Sequence, residues 1–279
     1  MKKLIFNSSM PRAGSELLQV LLHQNPTIYG SPTSPLLEYQ FSARNNFELP
    51  EVKAQPAPLM RQAFNYLCAG MAQSYYDPIT NRPVVCDKNR GWLHYYEWVK
   101  QWNPEPKMIC IVRDLRSIVA SFENVFRKTR HLPTGPDNPG KMENLTLDSR
   151  TNYWLNSAPI GLALQRTFDI FQRKLADKIL FIRYEDLLSA PQETMGKIYS
   201  YTNEPEFFHN FSEIQKEVTE DCSHFGPYGN HEVKPQLSPG KPWTETLPRN
   251  VGAQIKNFAP WYFDLFIVDC YFCYCIARN

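Results

Sequence analysis

Short apolar runs recur along the chain, and each of them ends in polar residues. They lie at residues 4–7, 84–86, 108–112 and 179–182 and consist mainly of isoleucine, leucine and valine. Apolar runs this short, bounded by polar residues, are typical of buried β-strands. The sequence therefore predicts four short strands.

Segments with apolar residues at helical spacing separate these strands. In the first segment, Leu17, Leu18, Leu21 and Leu22 recur at that spacing. Strands that alternate with helices favour right-handed crossovers and a parallel sheet covered on both faces. We therefore expect an α/β fold, a three-layer sandwich with a mainly parallel central sheet. The helices are predicted at residues 15–23, 59–75, 92–102, 116–128, 152–174 and 192–201.

Three segments rich in proline and glycine, residues 50–58, 131–141 and 225–248, are typical of long surface loops. With 279 residues, of which 43% are hydrophobic, the chain is long enough for one domain or two. No internal repeat or low-complexity tract divides it. We expect a single domain over residues 1–279.

The aromatic stretch at residues 258–277 has the length of a membrane span. However, Pro260, Asp264 and Asp269 interrupt it. A buried C-terminal helix is the better prediction, and we expect no membrane span.

Charge and cysteine content narrow the function classes. The 30 basic and 28 acidic residues give a net charge of +2, which argues against a nucleic-acid binder that depends on bulk charge. Seven cysteines without pairing motifs fit scattered thiols in a reducing compartment.

The N-terminal apolar run is too short for a signal peptide, so we expect a cytoplasmic protein. Three clustered cysteines lack the partners of a zinc site, so we expect core packing and no metal there: Cys270, Cys273 and Cys275.

The first strand leads through a tight turn at residues 8–14 into the first helix. Such a turn presents backbone N–H groups and a positive helix end, which suits a phosphate. Arg12 adds a bidentate donor, and Gly14 allows close backbone approach. The turn lacks the spacing and the lysine of G-x-x-x-x-G-K-[ST], so a magnesium nucleoside triphosphate is not the expected ligand.

A second predicted anion site follows the strand at residues 108–112. Arg113 stands at the carboxyl end of this strand, and Ser121 lies about two helical turns further on. Both side chains can therefore meet one anion. Two such sites at adjacent strand ends suggest a nucleotide that is phosphorylated at two separated positions.

Four segments, in this order along the chain, resemble the sulfotransferases that use 3'-phosphoadenosine 5'-phosphosulfate (PAPS), most closely the tyrosylprotein-sulfotransferase-like and bacterial branch. "MPRAGSELL" is similar to the loop that binds the 5'-phosphosulfate, and "IVRDLRSIVAS" to the motif that binds the 3'-phosphate. "VVCDKNRGW" and "ILFIRYEDLLSAPQETMGKIYSYT" are similar to two further strand motifs of that branch. The resemblance implies a P-loop NTPase-like sulfotransferase fold and PAPS as the donor, with no metal.

The resemblance also implies roles for individual residues. Arg113 and Ser121 would hold the 3'-phosphate, Tyr184 would contact the cofactor, and Lys88 would reach the oxygen that bridges phosphate and sulfate. The 5'-phosphosulfate loop would consist of Arg12, Ala13, Gly14, Ser15 and Glu16.

The general base is less clear from the motifs. The related branch has a glutamate in a G-E-E segment, and this chain has Ser-Pro-Thr there, at residues 31–33. Glu38 is the first candidate, in a loop expected to cross the carboxyl edge of the sheet. The alternatives are Glu16, His94 and His231. Glu16 replaces a hydroxyl residue, and we expect it to point away and cap the turn rather than bind the acceptor.

The acceptor is predicted only as a hydroxyl-bearing molecule: a sugar, a peptide tyrosine, a lipid or a small metabolite. Lys234 is the first candidate to cover the cofactor, and Lys241 is the alternative. Two other functions stay open. One is a nucleotide-binding protein without catalysis; the other is a magnesium-dependent P-loop kinase in which Asp114 holds the metal. Five aromatic residues are candidates for the acceptor cleft or the core: Tyr39, Phe41, Trp92, Tyr95 and Tyr96.

Overall fold

A five-stranded parallel sheet forms the centre of the molecule. The computed structural model describes residues 2–129, 145–218, 220–225 and 233–267. Every paired strand runs parallel to its neighbour, in the order β2-β3-β1-β4-β5. The predicted α/β class with its parallel sheet is therefore confirmed. The strands are β1 Lys3–Asn7, β2 Ile28–Thr33, β3 Val84–Lys88, β4 Lys107–Val112 and β5 Ile179–Arg183.

The register of the strands brings their carboxyl ends to one edge of the sheet. Asn7 at the end of β1 lies opposite Lys88 at the end of β3, and Thr33 of β2 also pairs with Lys88. Val112 at the end of β4 lies opposite Arg183. Side chains that follow these strands therefore meet at this edge, as the α/β architecture requires of a ligand site.

Twelve α-helices accompany the sheet in the described part of the chain. Apolar side chains at helical spacing bury one face of each long helix. In α6 this face is formed by Leu115, Ile118, Val119, Phe122 and Phe126. The helices are α1 Ser15–Gln24, α2 Leu36–Arg44, α3 Pro50–Lys53, α4 Ala57–Tyr76, α5 Tyr96–Trp102, α6 Leu115–Thr129, α7 Leu147–Asn156, α8 Ile160–Gln172, α9 Tyr184–Ser189, α10 Pro191–Thr202, α11 Arg249–Phe258 and α12 Pro260–Phe266.

Several predicted boundaries are wrong. The single helix predicted at residues 152–174 is two helices, α7 and α8, because Pro159 precedes α8 and cannot continue a helix from α7. The loop predicted at residues 50–58 contains α3 and the start of α4, since Pro50 occupies the first helical position, where proline is tolerated. The sequence does not predict strand β2 or helices α2, α3, α9 and α11.

The structure describes the first part of the segment in which a buried C-terminal helix is predicted. Within residues 258–277, α11 ends at Phe258 and α12 is described, and α12 buries Tyr262, Phe263 and Phe266. The three clustered cysteines and the loop at 131–141 lie outside the described residues. Cys68, Cys86 and Cys110 are buried thiols. None of the helices described here combines the length and the apolar composition needed to cross a bilayer.

Candidate active site

The turn between β1 and α1 is held against the neighbouring strand β4. The backbone N–H of Ser8 donates to the carbonyl of Ile109 at 2.9 Å, and that of Met10 to the carbonyl of Ile111 at 3.0 Å. Beyond these bonds the backbone reverses through Arg12, with φ of 57°, and Gly14, with φ of 95°. α1 then begins at Ser15 with no side-chain cap among the described residues, so the N–H groups of its first turn point out of the helix end.

Gly14 is required by its backbone angle and by its neighbour. A Cβ atom at this position would lie 2.7 Å from Cδ2 of Tyr184, well inside van der Waals contact. The ring of Tyr184, at the start of α9, thus packs directly on the turn. This contact joins the end of β5 to the turn between β1 and α1.

Arg113, Arg12 and Ser121 come together beside this turn. Arg113 Nη1 donates to the carbonyl oxygen of Arg12 at 2.8 Å, and Arg12 Nε donates to Ser121 Oγ at 3.1 Å. The guanidinium of Arg113 also lies 4.4 Å above the ring of Tyr184. The buried hydroxyl of Tyr262 fixes the backbone of Arg113 by accepting from its N–H at 3.2 Å and donating to its carbonyl at 3.0 Å.

Arg12, Arg113, Ser121 and Tyr184 line a cavity of about 250 Å³, which we call the donor cavity after the ligand that the sequence resemblance predicts for it. Its other wall is the segment 233–240, in which Lys234 Nζ donates to Ser238 Oγ at 3.0 Å. Lys241 is absent from the lining and forms an exposed ion pair with Glu245 at 3.2 Å. Ala13 is fully buried beneath the turn. The donor cavity is lined by Arg12, Gly14, Ser15, Glu16, Leu17, Arg113, Ser121, Tyr184, Leu188, Val233, Lys234, Gln236, Leu237, Ser238 and Gly240.

Lys88, the last residue of β3, lies in a buried network of four charges. Its ammonium group contacts Glu16 at short range and lies 3.3 Å from Glu220 Oε1. The second oxygen of Glu16 pairs with Lys216 at 2.6 Å. The second oxygen of Glu220 accepts from the backbone N–H of Thr33 at 2.8 Å. These contacts set two carboxylates against two ammonium groups, which offsets part of the cost of burying the charges.

The network corrects the prediction for Glu16. Its carboxylate does not point away to cap the turn, because Lys88 and Lys216 hold its two oxygens. Sequence reasoning also missed Glu220 and Lys216. They belong to a segment without a recognisable motif, and only the folded chain brings them to the end of β3.

A second cavity, of about 450 Å³, adjoins the first; we call it the acceptor cavity because the predicted base Glu38 lines it. Arg12 and Ser15 line both cavities, so the two spaces meet at the turn between β1 and α1. Of the five aromatic candidates, Phe41 and Tyr95 line the acceptor cavity, whereas Trp92 and Tyr96 are buried in the core and Tyr39 is exposed. Its polar and charged lining residues include Asn7, Ser9, Thr33, Glu38, Ser42, Lys88, Asn89, Arg90 and Arg166.

Glu38 lines the acceptor cavity with an exposed side chain. It stands in the first turn of α2, so the predicted loop is a helix. Asn89 Nδ2 donates to Glu38 Oε2 at 2.9 Å and also to the carbonyl of Ser34 at 2.9 Å. Because Asn89 directly follows Lys88, this amide fixes the carboxylate relative to the lysine.

The other proposed bases lie elsewhere. Nδ1 of His94 is 3.7 Å from Asp169, and His94 is absent from the lining of both cavities. His231 lies outside the described residues.

A buried carboxyl group supports the strand that carries Lys88. Asp87 accepts from the hydroxyl of Tyr76 at 2.6 Å and from Nε1 of Trp92 at 2.6 Å. Burial raises the pKa of Asp87, and these two hydrogen bonds oppose the rise. The bonds fix β3 from the side opposite to the ammonium of Lys88, since successive side chains of a strand alternate in direction.

Asp114 is engaged by its own neighbour. Its carboxylate accepts from the backbone N–H of Arg116 at 2.8 Å and forms an ion pair with that guanidinium at 2.7 Å. The guanidinium in turn packs over Trp243 and Phe263. Asp114 thus anchors the start of α6, which favours a structural role over the metal-binding role that a kinase requires. Over the described ranges, no group of three or more histidine, cysteine, aspartate or glutamate side chains is arranged to hold a metal ion.

A parallel α/β sheet with a tight turn after β1 and an arginine after β4 is the arrangement that the four sequence motifs predict. The chain belongs to the sulfotransferase family, whose sequence pattern it matches over residues 5–208. The membership expected from the four motifs is therefore confirmed.

The individual relatives share little sequence identity with this chain. The chain is 22% identical over 268 residues to a protein of Drosophila melanogaster named "Protein-tyrosine sulfotransferase", with 92% of this chain and 50% of that protein covered. It thus spans about half the length of this curated relative. Two solved structures share the fold. A sulfotransferase domain from the curacin biosynthetic pathway has a TM-score of 0.55 at 18% identity, covering 94% of this chain and 97% of that one. Mouse sulfotransferase SULT7A1, solved with PAP, has a TM-score of 0.55 at 13% identity, covering 94% of this chain and 84% of the mouse chain.

Proposed function

We propose that this protein transfers the sulfuryl group of PAPS to a hydroxyl or amine acceptor. The observation that carries the proposal is the meeting of two cavities at Arg12 and Ser15, one lined by anion-binding groups and the other by an exposed carboxylate. PAPS supplies an activated sulfuryl group, and its transfer leaves 3',5'-ADP. The complex of the mouse relative with PAP agrees with this choice of donor.

The donor cavity fits a nucleotide with two separated phosphate groups. Arg113 and Ser121 are assigned to the 3'-phosphate, since both line the cavity next to Arg12. The first turn of α1, with Ser15 at its start, is assigned to the 5'-phosphosulfate because its N–H groups and helix dipole favour an anion. Gly14 leaves room for this approach, and Tyr184 and Lys234 supply an aromatic face and a cation on the cavity walls.

Glu38 and Lys88 are assigned to the chemical step. Glu38 removes the proton from the acceptor hydroxyl as the acceptor oxygen bonds to sulfur, so the proton ends on the carboxylate. The ammonium of Lys88 stabilises the negative charge that grows on the leaving phosphate oxygen. Both side chains line the acceptor cavity, which supports a shared reaction centre. Candidate acceptors are sugars, peptide tyrosines, lipids and small metabolites.

Ligand-induced stabilisation tests the donor. We expect 3',5'-ADP to raise the melting temperature without added metal, because it binds the native state only. Mg-ATP should give little change, since Asp114 is paired with Arg116. Stabilisation by Mg-ATP but not by 3',5'-ADP would contradict the proposal. Incubation with labelled PAPS and a panel of hydroxyl acceptors then separates an enzyme from a protein that only binds the nucleotide.

Arg113→Ala is expected to weaken 3',5'-ADP binding roughly thirtyfold, because a charge-assisted contact contributes about 2 kcal/mol. Ser121→Ala removes a neutral donor and should weaken binding about fivefold. Titration calorimetry measures both. Arg61→Ala, an exposed arginine on α4, is the matched control and should leave the affinity unchanged. If both site variants bind as tightly as the parent, the 3'-phosphate site lies elsewhere.

A further inference from the structure

Besides Arg12, two arginines of different elements line the acceptor cavity. Arg166 projects from α8, and Arg90 follows β3. Arg166 Nη1 donates to the backbone carbonyl of Arg90 at 2.9 Å, which orients its guanidinium. This contact is a hydrogen bond to a neutral group, so the positive charge of Arg166 is not balanced by it.

The charge of Arg166 is unfavourable in this position. Burial lowers the pKa of the Arg166 guanidinium, the charge of Arg90 lowers it further, and Tyr95 and Glu38 oppose these effects. Among the described residues, the partner of the Arg166 guanidinium is the carbonyl oxygen of Arg90 and not a carboxylate. A half-buried charge in this position is stabilised by an anion.

Two other partly buried arginines of this protein are paired with acids, whereas Arg82 donates to backbone carbonyls and lines neither cavity. Arg150 pairs with Glu123 at 2.8 Å, and Arg173 at the end of α8 pairs with Asp169 at 2.8 Å. Arg113 resembles Arg166 rather than Arg150 and Arg173. It also donates from Nη1 to a backbone carbonyl, and it also lines a cavity. In the donor cavity that arrangement is assigned to a phosphate, so the same arrangement in the acceptor cavity indicates a second anion.

The lining of the acceptor cavity carries four basic side chains, Arg12, Lys88, Arg90 and Arg166, and one acidic one, Glu38. Lys88 is paired with Glu16 and Glu220, which lie outside this lining. Glu38 offsets part of the Arg166 charge, while its Oε2 accepts from Asn89. Apolar side chains form much of the remaining wall: Leu37, Phe41, Tyr95, Phe122 and Leu162.

We propose that the acceptor is a small hydroxyl-bearing molecule with an apolar or aromatic body and an anionic group, a carboxylate or a phosphate, that binds Arg166. This inference rests on the proposed function of the same cavity. The acceptor cavity of about 450 Å³ is of the size that holds small ligands. Arg166 binds the anionic group, while Glu38 faces the hydroxyl and Lys88 the leaving phosphate oxygen.

The test compares acceptors that differ in charge. 3-(4-Hydroxyphenyl)propionate carries a carboxylate, its amide is neutral, and 4-hydroxybenzylphosphonate carries a phosphorus oxyanion. Each is titrated by calorimetry into protein saturated with 3',5'-ADP, and again without the nucleotide. The proteins are the parent, Arg166→Gln, Arg166→Lys and Arg173→Gln, the last being a matched charge change on α8 outside both cavities. Specific activity with PAPS is measured in parallel.

We expect the parent to bind at least one anionic compound ten times more tightly than the amide. Arg166→Gln should reduce that ratio to below two, Arg166→Lys should keep part of it, and Arg173→Gln should keep all of it. Whichever of carboxylate and phosphonate binds better identifies the anion. Equal binding of all three compounds by the parent, or an undiminished preference in Arg166→Gln, overturns the inference. Failure of the proposed function has a different signature: the charge preference remains, but 3',5'-ADP does not bind and no sulfuryl group is transferred.

Discussion

Lys88→Met is expected to lower the turnover number by two to three orders of magnitude, while the affinity for 3',5'-ADP changes less than about fivefold. The reason is that the charge facing the ammonium grows only as the sulfuryl group leaves. An interaction made only in the transition state affects turnover and not ground-state binding. Measuring kcat, KM and the calorimetric dissociation constant of 3',5'-ADP for the parent and for Lys88→Met shows whether turnover falls more than binding.

The buried network complicates this experiment, because Lys88→Met removes the cation that Glu16 and Glu220 share. Only 9% of the Glu220 side chain is exposed, and an uncompensated buried charge costs several kcal/mol. We therefore expect Lys88→Met to lower the melting temperature. The double variant Lys88→Met/Glu220→Gln removes one acid with one base and should regain much of this stability.

The double variant separates folding from chemistry. If Lys88 acts on the leaving group, turnover stays low after stability returns, and Glu220→Gln alone keeps most of the activity. If instead the balanced double variant recovers turnover, Lys88 serves only to neutralise the two carboxylates. Equal losses in 3',5'-ADP affinity and in turnover would make Lys88 a ground-state ligand of the donor.

The parts of the site that the sequence predicts are those in which strand, turn and helix are adjacent in the chain. The turn with Arg12 and Gly14 and the strand end with Arg113 each combine an apolar run, a charged residue and a helix start within about 15 residues. Local pattern is enough to recognise such units. Their convergence follows from the parallel sheet, because its carboxyl ends share an edge.

Strand β2 shows why local pattern fails at the edge of the sheet. Its sequence, IYGSPT, contains Gly30 and Pro32, which argue against a strand. β2 is an edge strand, and its register with β3 shifts between Gly30 and Thr33, so the missing N–H of Pro32 is tolerated. Glycine is needed because a Cβ atom on Gly30 would lie 2.1 Å from the carbonyl oxygen of Gln19 in α1. The close packing of α1 on β2 is a tertiary contact that no short window of sequence contains.

The charged partners at the reaction centre are also set by long-range contacts. Glu220 reaches Lys88 across 132 residues, and its other oxygen binds the N–H of Thr33, in the Ser-Pro-Thr segment that replaces the expected Glu-Glu. In sequence, Glu220 is one acid among 28 and lies in no motif. Arg166 likewise has the pattern of an ordinary helix arginine. Which of such residues reach the site depends on loop paths and helix packing.

Glu38→Gln is expected to fold, to bind 3',5'-ADP like the parent, and to lose about a hundredfold in turnover, as for a lost general base. Glutamine keeps an oxygen that accepts from Asn89 Nδ2, which is 2.9 Å from Glu38 Oε2, so the substitution preserves the local hydrogen bond. The change therefore removes proton acceptance and little else. His94→Asn is the control, since His94 lies outside both cavities and should remain active.

The dependence on acceptor acidity distinguishes a base from a structural glutamate. A phenol that is already ionised at the assay pH, such as 4-nitrophenol, does not need its proton removed, so Glu38→Gln should slow its sulfation far less than that of an unactivated phenol. A structural defect would slow both acceptors equally. Near-normal turnover of the unactivated phenol by Glu38→Gln, with loss of activity in Glu16→Gln or in His231→Asn, would assign the proton to that residue. Since Glu16 is bound by Lys88 and Lys216, we expect Glu16→Gln to alter stability as well as activity, whereas Glu38→Gln should alter activity alone.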